Sequence, residues 1–221
     1  MSLPALFMTL ESELDNVSFH IREFVRGKPQ ITSSTNFSFQ EECYLEGLIS
    51  RAWQAWGSFC RECIIESCTG TVNLSGVAIT ALPLAGSAGH VSWAAIKAKS
   101  TSNAPPYWGG VNGQLWKEPT WGDADILDRI LLRLTPHNHG QFRSAISAYH
   151  QSIKSIQIIR NGSAHNNHQT MTQVMSLVSN YVVFPISHPV HAMFWAEPLT
   201  RDFLVTFALY EMKAAALGAI S

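Results

Sequence analysis

Residues 38–68 read SFQEECYLEGLISRAWQAWGSFCRECIIESC. Ser38 with Glu41 three residues on is a capping box, in which each side chain takes up a backbone N–H the other end of the first turn leaves open. Beyond it Tyr44, Leu45, Leu48, Ile49, Trp53, Trp56, Phe59, Cys60, Cys63 and Ile64 recur at three- and four-residue steps as far as Cys68. That apolar surface covers much of a helix circumference, so the segment is expected to be a long central helix. Upstream, Leu3, Leu6, Phe7, Leu10, Leu14, Val17, Ile21 and Phe24 form one apolar stripe that Gly27 and Pro29 end. A Ser/Thr-rich connector over 31–37 joins the two helices.

Downstream, 69–120 is rich in Gly, Pro, Ser and Thr, and the reading there is a loop-rich insertion with one short helix near 91–99. Helical periodicity returns at Asp123 (Ile126, Leu127, Ile130, Leu131, Leu134) and stops at Pro136. Further helices are expected over 141–149 and from Ser152 to Arg160. Another is expected with Thr170 as its cap and Pro185 as its end, and a last one opens at Pro198. No alternation of period two persists anywhere. The expected class is therefore all-α, a single helical domain over 1–221 with 69–120 as an irregular insertion.

Composition narrows the function. The 221 residues are 46% apolar and only 14% charged, against roughly 25% charged in an average soluble domain. Disorder is excluded, and the low charge with seven tryptophans suggests a subunit interface. A net charge of −1 excludes a polycation overall. Yet 129–196 holds five cations (Arg129, Arg133, Arg143, Lys154, Arg160), seven histidines and no carboxylate, a local field that would suit a polyanion. The first ten residues carry no cation and no eighteen-residue apolar window exists. A cytoplasmic protein with free thiols and no membrane span is expected. Cys60-x2-Cys63 falls inside the capped helix, where the thiols are core residues rather than zinc ligands. His137-x-His139, His165-x2-His168 and His188-x2-His191 lack neighbouring carboxylates in sequence, so no metal and no cofactor is expected.

The sharpest motif is Arg160-Asn161-Gly162-Ser163-Ala164-His165. Arg and His five residues apart stand about 500° around a regular helix, some 140° off one face. Gly162 is expected to supply the break that lets them meet. The hexapeptide resembles the R-x4–6-H signature of HEPN domains (higher eukaryotes and prokaryotes nucleotide-binding). A polar residue often follows the Arg there and Ala commonly precedes the His, as Asn161 and Ala164 do here. The resemblance covers roughly 123–181.

Many members of that family are metal-independent endoribonucleases acting as homodimers in toxin–antitoxin or antiviral defence systems. The resemblance thus implies a HEPN-like bundle in which Arg160, His165 and Asn161 are catalytic. RNA itself and a cognate antitoxin or defence protein are then the expected partners, besides a second copy of the chain. Cleavage without a metal uses the RNA 2′-OH as nucleophile, needs an acid and a base, and needs a cation on the phosphate. Histidine, with an unperturbed pKa of about 6.5, serves as either acid or base, and the Arg fork suits phosphate oxygens. His168, Asn166, Asn167, Lys154 and Arg143 are candidate RNA contacts. Many toxins of the family that pair with a minimal nucleotidyltransferase carry Tyr two residues after the His. Asn167 stands there in this chain, so that antitoxin is not expected. The alternative is a HEPN scaffold that binds nucleotides or a partner without catalysis.

Overall fold

A computed structural model describes residues 1–28, 31, 37–100 and 108–221. The class is all-α. The helices are α1 (Leu3–Arg26), α2 (Phe39–Thr69), α3 (Ala88–Ala98), α4 (Ala124–Leu134), α5 (His139–Ala148), α6 (His150–Ala164), α7 (His168–Met175) and α8 (Leu204–Ile220). Among the described residues no helix is long and apolar enough to cross a membrane. The chain divides into two compact units. The first holds Met1–Glu11, Trp56–His150 and Ala214–Ser221, and the second holds Ser12–Ala55 and Gln151–Lys213. α1, α2 and α8 each contribute part of their length to both.

In the first unit the core is built from Trp56, Cys60, Ile64 and Cys68 of α2, Val91 and Ala95 of α3, Leu127, Ile130 and Leu131 of α4, and Phe142 of α5, all nearly or fully sealed from solvent. Trp56 satisfies its indole N–H on the Gly122 carbonyl at 3.1 Å, as a buried Trp must. Asp123 caps α4 by accepting the N–H groups of Asp125 and Ile126, and Thr135, in the left-handed region at φ 48°, ends it before Pro136. The expected loop region 69–120 contains α3, a 3₁₀ turn at Leu115–Lys117, and a short antiparallel hairpin of β1 (Thr71–Val72) and β2 (Ala78–Ile79). Two-residue strands are too short to leave an alternating pattern in the sequence. The Pro105-Pro106 part of that region lies outside the described residues, as does the connector over 31–37 apart from Ile31 and Phe37.

In the second unit Leu14, Val17 and Ile21 of α1, Leu45 and Ile49 of α2, Ile153, Ile156 and Ile159 of α6 and Leu204 and Met212 of α8 form the core. The capping box expected at the start of α2 is present: the Ser38 N–H donates to Glu41 at 2.7 Å and the Glu41 N–H to Ser38 Oγ at 3.4 Å.

Three expectations for this unit are corrected. Pro198 does not open the last helix. The Glu197 carboxylate accepts the N–H groups of Leu199 and Thr200, Arg201 turns the chain at φ 65°, and α8 starts only at Leu204. Thr170 is not the N-cap of α7. Asn167 is, with Thr170 as the third helical residue of a reciprocal capping box, and α7 passes into a 3₁₀ turn at Ser176–Asn180 that stops short of Pro185. Finally, α6 does not end at Arg160 but runs one more turn, to Ala164.

Candidate functional site

The Arg160–His165 motif spans the last turn of α6 and the first residue beyond it. Ile153, Ile156 and Ile159 fix the rotation of α6 by burying one face, which leaves Arg160 and Asn161 half-buried at its edge. The helix is not broken at Gly162. That glycine is buried within α6, and a Cβ there would lie 2.9 Å from Val174 Cγ2 and 3.0 Å from Pro189 Cβ. Its role is close approach of α7 and of the 3₁₀ turn Pro189–Phe194, not a bend. Arg160 and His165 therefore keep helical separation, and no hydrogen bond joins them.

Each motif residue has a definite environment. Arg160 Nη1 donates to Asn161 Oδ1 at 3.2 Å, while Arg160 Nε is buried without a partner. The His165 N–H continues the helical ladder onto the Asn161 carbonyl. The His165 carbonyl is held by Asn167 Nδ2 at 2.7 Å and Thr170 Oγ1 at 2.8 Å. Its ring is exposed and makes no hydrogen bond among the described residues. Asn167, expected to touch RNA, has its Oδ1 on the Thr170 N–H and its Nδ2 on His165, so the helix cap occupies it. Asn166 and His168 are exposed beside it, and Lys154 is half-buried farther back on α6. Arg143 is on α5 in the first unit, where its Nε donates to Asp128 at 2.6 Å.

The stretch that lacks carboxylates in sequence does not lack them in space. His191 Nε2 lies 2.9 Å from Glu42 and His188 Nε2 lies 3.3 Å from Glu46. Glu211 of α8 accepts the Ser152 hydroxyl, and in the first unit His150 meets Asp125 at 3.2 Å. His191 is sealed completely and stacks on Phe37 with ring centroids 4.2 Å apart. Burial pulls its pKa below the ordinary 6.5 against the opposing pull of Glu42. Tyr181 donates to or accepts from Ser155 at 3.0 Å, and burial raises its hydroxyl pKa.

Among the described residues no group of three or more His, Cys, Asp or Glu is arranged to hold a metal. Cys60, Cys63 and Cys68 are buried free thiols on α2, with pKa values raised by burial, and are poor nucleophiles for that reason.

Sequence reasoning missed a cleft of about 960 Å³ in the first unit, lined from α4 by Asp125, Asp128 and Arg129 and from α5 by Arg143. Its residues come from three helices, and only the i, i+3, i+4 repeat of polar side chains on α4 hinted at it. No family model matches the chain, and neither a curated protein nor a solved structure matches it.

Proposed function

We propose that this chain is a HEPN-like, metal-independent endoribonuclease that works as a homodimer in the cytoplasm, within a toxin–antitoxin or antiviral defence system. The observation that carries the reading is the His165 imidazole, exposed and unpartnered immediately after the helical turn that bears Arg160 and Asn161. A free imidazole and, one helical turn away, a guanidinium with an unmade hydrogen bond are the groups phosphodiester transfer needs, and a second copy of the chain is what would bring such groups to one phosphate.

In the reaction, one His165 removes the proton of the RNA 2′-OH and the 2′-oxygen attacks phosphorus. The P–O5′ bond breaks, and the partner subunit's His165 delivers a proton to the departing 5′-oxygen. The products are a 2′,3′-cyclic phosphate and a 5′-hydroxyl. Arg160 meets the charge that grows on the non-bridging oxygens, and Asn161 holds the guanidinium in place. Asn166, in the connection after α6, and His168, the first residue of α7, are exposed and are the candidate contacts to flanking phosphates, with Lys154 farther back on α6.

Purified protein is expected to cleave single-stranded RNA in EDTA. His165→Ala is expected to slow this by about 10²–10⁴-fold, the usual loss when an acid–base group is removed, with the assembly intact. Product-end analysis checks the cyclic phosphate. An intact dimer that leaves varied RNAs whole, or a His165→Ala variant as active as the parent, sinks the reading. A second reading, a non-catalytic HEPN scaffold, is favoured by one observation: Arg160 Nε is sealed and no contact joins Arg160 to His165. Inert wild-type protein would support it.

A further inference from the structure

On α4, Asp125, Asp128 and Arg129 stand at i, i+3 and i+4. On α5, Gly140, Arg143, Ser144 and Ser147 stand at i, i+3, i+4 and i+7. Both spacings return to one face of a helix. The two faces line the 960 Å³ cleft, and His150 at the start of α6 completes it, all within the first unit. The volume falls in the roughly 300–1,000 Å³ range of small-molecule sites.

The formal charges in this cleft cancel, two carboxylates against two guanidinium groups, but the direct contacts leave one guanidinium out. Arg143 Nε is 2.6 Å from Asp128, and His150 Nε2 is 3.2 Å from Asp125. Each carboxylate is thus engaged. Arg129, one residue along α4 from Asp128, has no hydrogen-bond or ion-pair partner among the described residues, and its Nε is sealed from water. A half-buried guanidinium whose Nε makes no hydrogen bond loses hydration there without recovering it from the protein, even with Asp125 one helical turn back. Nothing in packing asks for that arrangement, since a methionine fills the same space without the penalty. A guanidinium with unmade hydrogen bonds beside a roomy cleft is the complement of a ligand that brings oxygen acceptors of its own.

We propose that this cleft binds a small ligand through an oxyanion, a phosphate or a carboxylate, taken by the terminal nitrogens of Arg129. The planar guanidinium fork matches two oxygens of either group. Arg143 is the second donor, shared with Asp128, and the exposed Ser147 hydroxyl is a neutral one. The inference does not rest on the ribonuclease reading, since none of its residues belongs to the α6 motif. Failure of one leaves the other standing.

Titration calorimetry on the full chain at constant ionic strength, with inorganic phosphate in one arm and succinate in the other, tests it. One of the two is expected to saturate a single site per chain, and which one does so identifies the oxyanion. Arg129→Met is expected to weaken that binding at least tenfold while melting, without ligand, at or above the wild-type temperature, because a sealed and unsatisfied guanidinium N–H has gone. Arg143→Met is expected to weaken binding less, and Arg22→Met, at an exposed site on α1, not at all. No saturation by either anion, or wild-type affinity in Arg129→Met, overturns the proposal. Should Arg129→Met fail to fold, Arg129→Lys keeps the charge and loses the fork, and unchanged affinity there overturns it equally.

Discussion

Arg61 on α2 and Arg160 on α6 are both partly buried arginines, and the protein treats them in opposite ways. Arg61 donates through Nε and Nη2 to the two oxygens of Glu118 at 2.7 and 2.8 Å, and through Nη1 to Glu62. Glu118 also accepts Ser92 Oγ at 2.6 Å and Trp121 Nε1 at 2.8 Å, and Asn112 donates to the same Ser92 hydroxyl at 2.8 Å. Burial pulls the Glu118 carboxyl upward, but the hydrogen bonds from Arg61, Ser92 and Trp121 and the charge of Arg61 outweigh it and hold it below the ordinary value. Arg160 makes one 3.2 Å bond to its neighbour's amide and leaves Nε unmade. The first arrangement ties the irregular segment around Glu118 to α2 and α3, and it is complete. The second gives up stability that a completed network would keep, so folding alone does not account for an arginine there.

Breaking the complete network has the largest expected effect. Arg61→Met leaves Glu118, whose side chain is 9% exposed, without its cation, and losing one partner of a buried pair costs about 3–5 kcal/mol. The sign of the pH dependence follows. In the parent, Glu118 titrates below its unfolded value of 4.5. Its contribution is therefore full above that value and lost as pH falls through the lower folded one. In Arg61→Met the largest downward influence is gone while burial remains, so the carboxyl titrates higher than in the parent and less of the loss is felt in acid. Urea melts of both proteins at pH 7 and pH 4 are expected to show the larger gap at pH 7. Equal gaps would mean that Glu118 is not the charge Arg61 serves.

Two glycines sharpen the same contrast between finished packing and open surface. Gly162→Ala puts a methyl into Val174 and Pro189, an overpacking cost of about 1–3 kcal/mol, against a helical gain of about 1 kcal/mol for replacing Gly by Ala. The net expectation is a loss of up to about 2 kcal/mol. Gly47, also helical, has nothing within 4 Å of the place an alanine methyl would occupy. Gly47→Ala is expected to gain about 1 kcal/mol on propensity alone. Denaturant midpoints of the pair give opposite signs if Gly162 is there for close approach; the same sign would return it to the role of a helix breaker.

What the sequence made legible was local. The capping box at Ser38 and Glu41, the Asp123 cap and the apolar stripes of α1, α2 and α4 each lie within a few turns, and each was readable. The start of α8 was not, because Glu197 takes the N–H groups that a helix after Pro198 would have left for a cap, and the left-handed Arg201 then redirects the chain. Gly162 looked like a break because glycine is a poor helix former, while its actual constraint comes from Val174 and Pro189, on later elements of the chain. The motif could be seen, but its electrostatic setting could not. The carboxylates that answer His188 and His191 are Glu46 and Glu42, more than a hundred residues away. The Arg129 cleft was hidden for the same reason, since its two walls and its rim belong to three different helices.

The smallest effect separates scaffold from site at the end of α6. Asn167 caps α7 through Oδ1 and grips the His165 carbonyl through Nδ2. Asn167→Ala removes both and is expected to cost about 1 kcal/mol, the usual worth of an N-cap. Asn167→Asp keeps the acceptor, adds a charge that the α7 N-terminus favours, and loses only the donor to His165, so it is expected to cost less. His165→Ala leaves every one of these backbone bonds in place and, at an exposed position, is expected to shift stability by less than about 0.5 kcal/mol. Hydrogen exchange at the Thr170 and Met171 amides reads the cap directly, since those amides bond to Asn167. Faster exchange in Asn167→Ala with parental exchange in His165→Ala would assign Asn167 to architecture and free the imidazole for chemistry. Faster exchange in both would instead make the His165 ring a structural part of the turn.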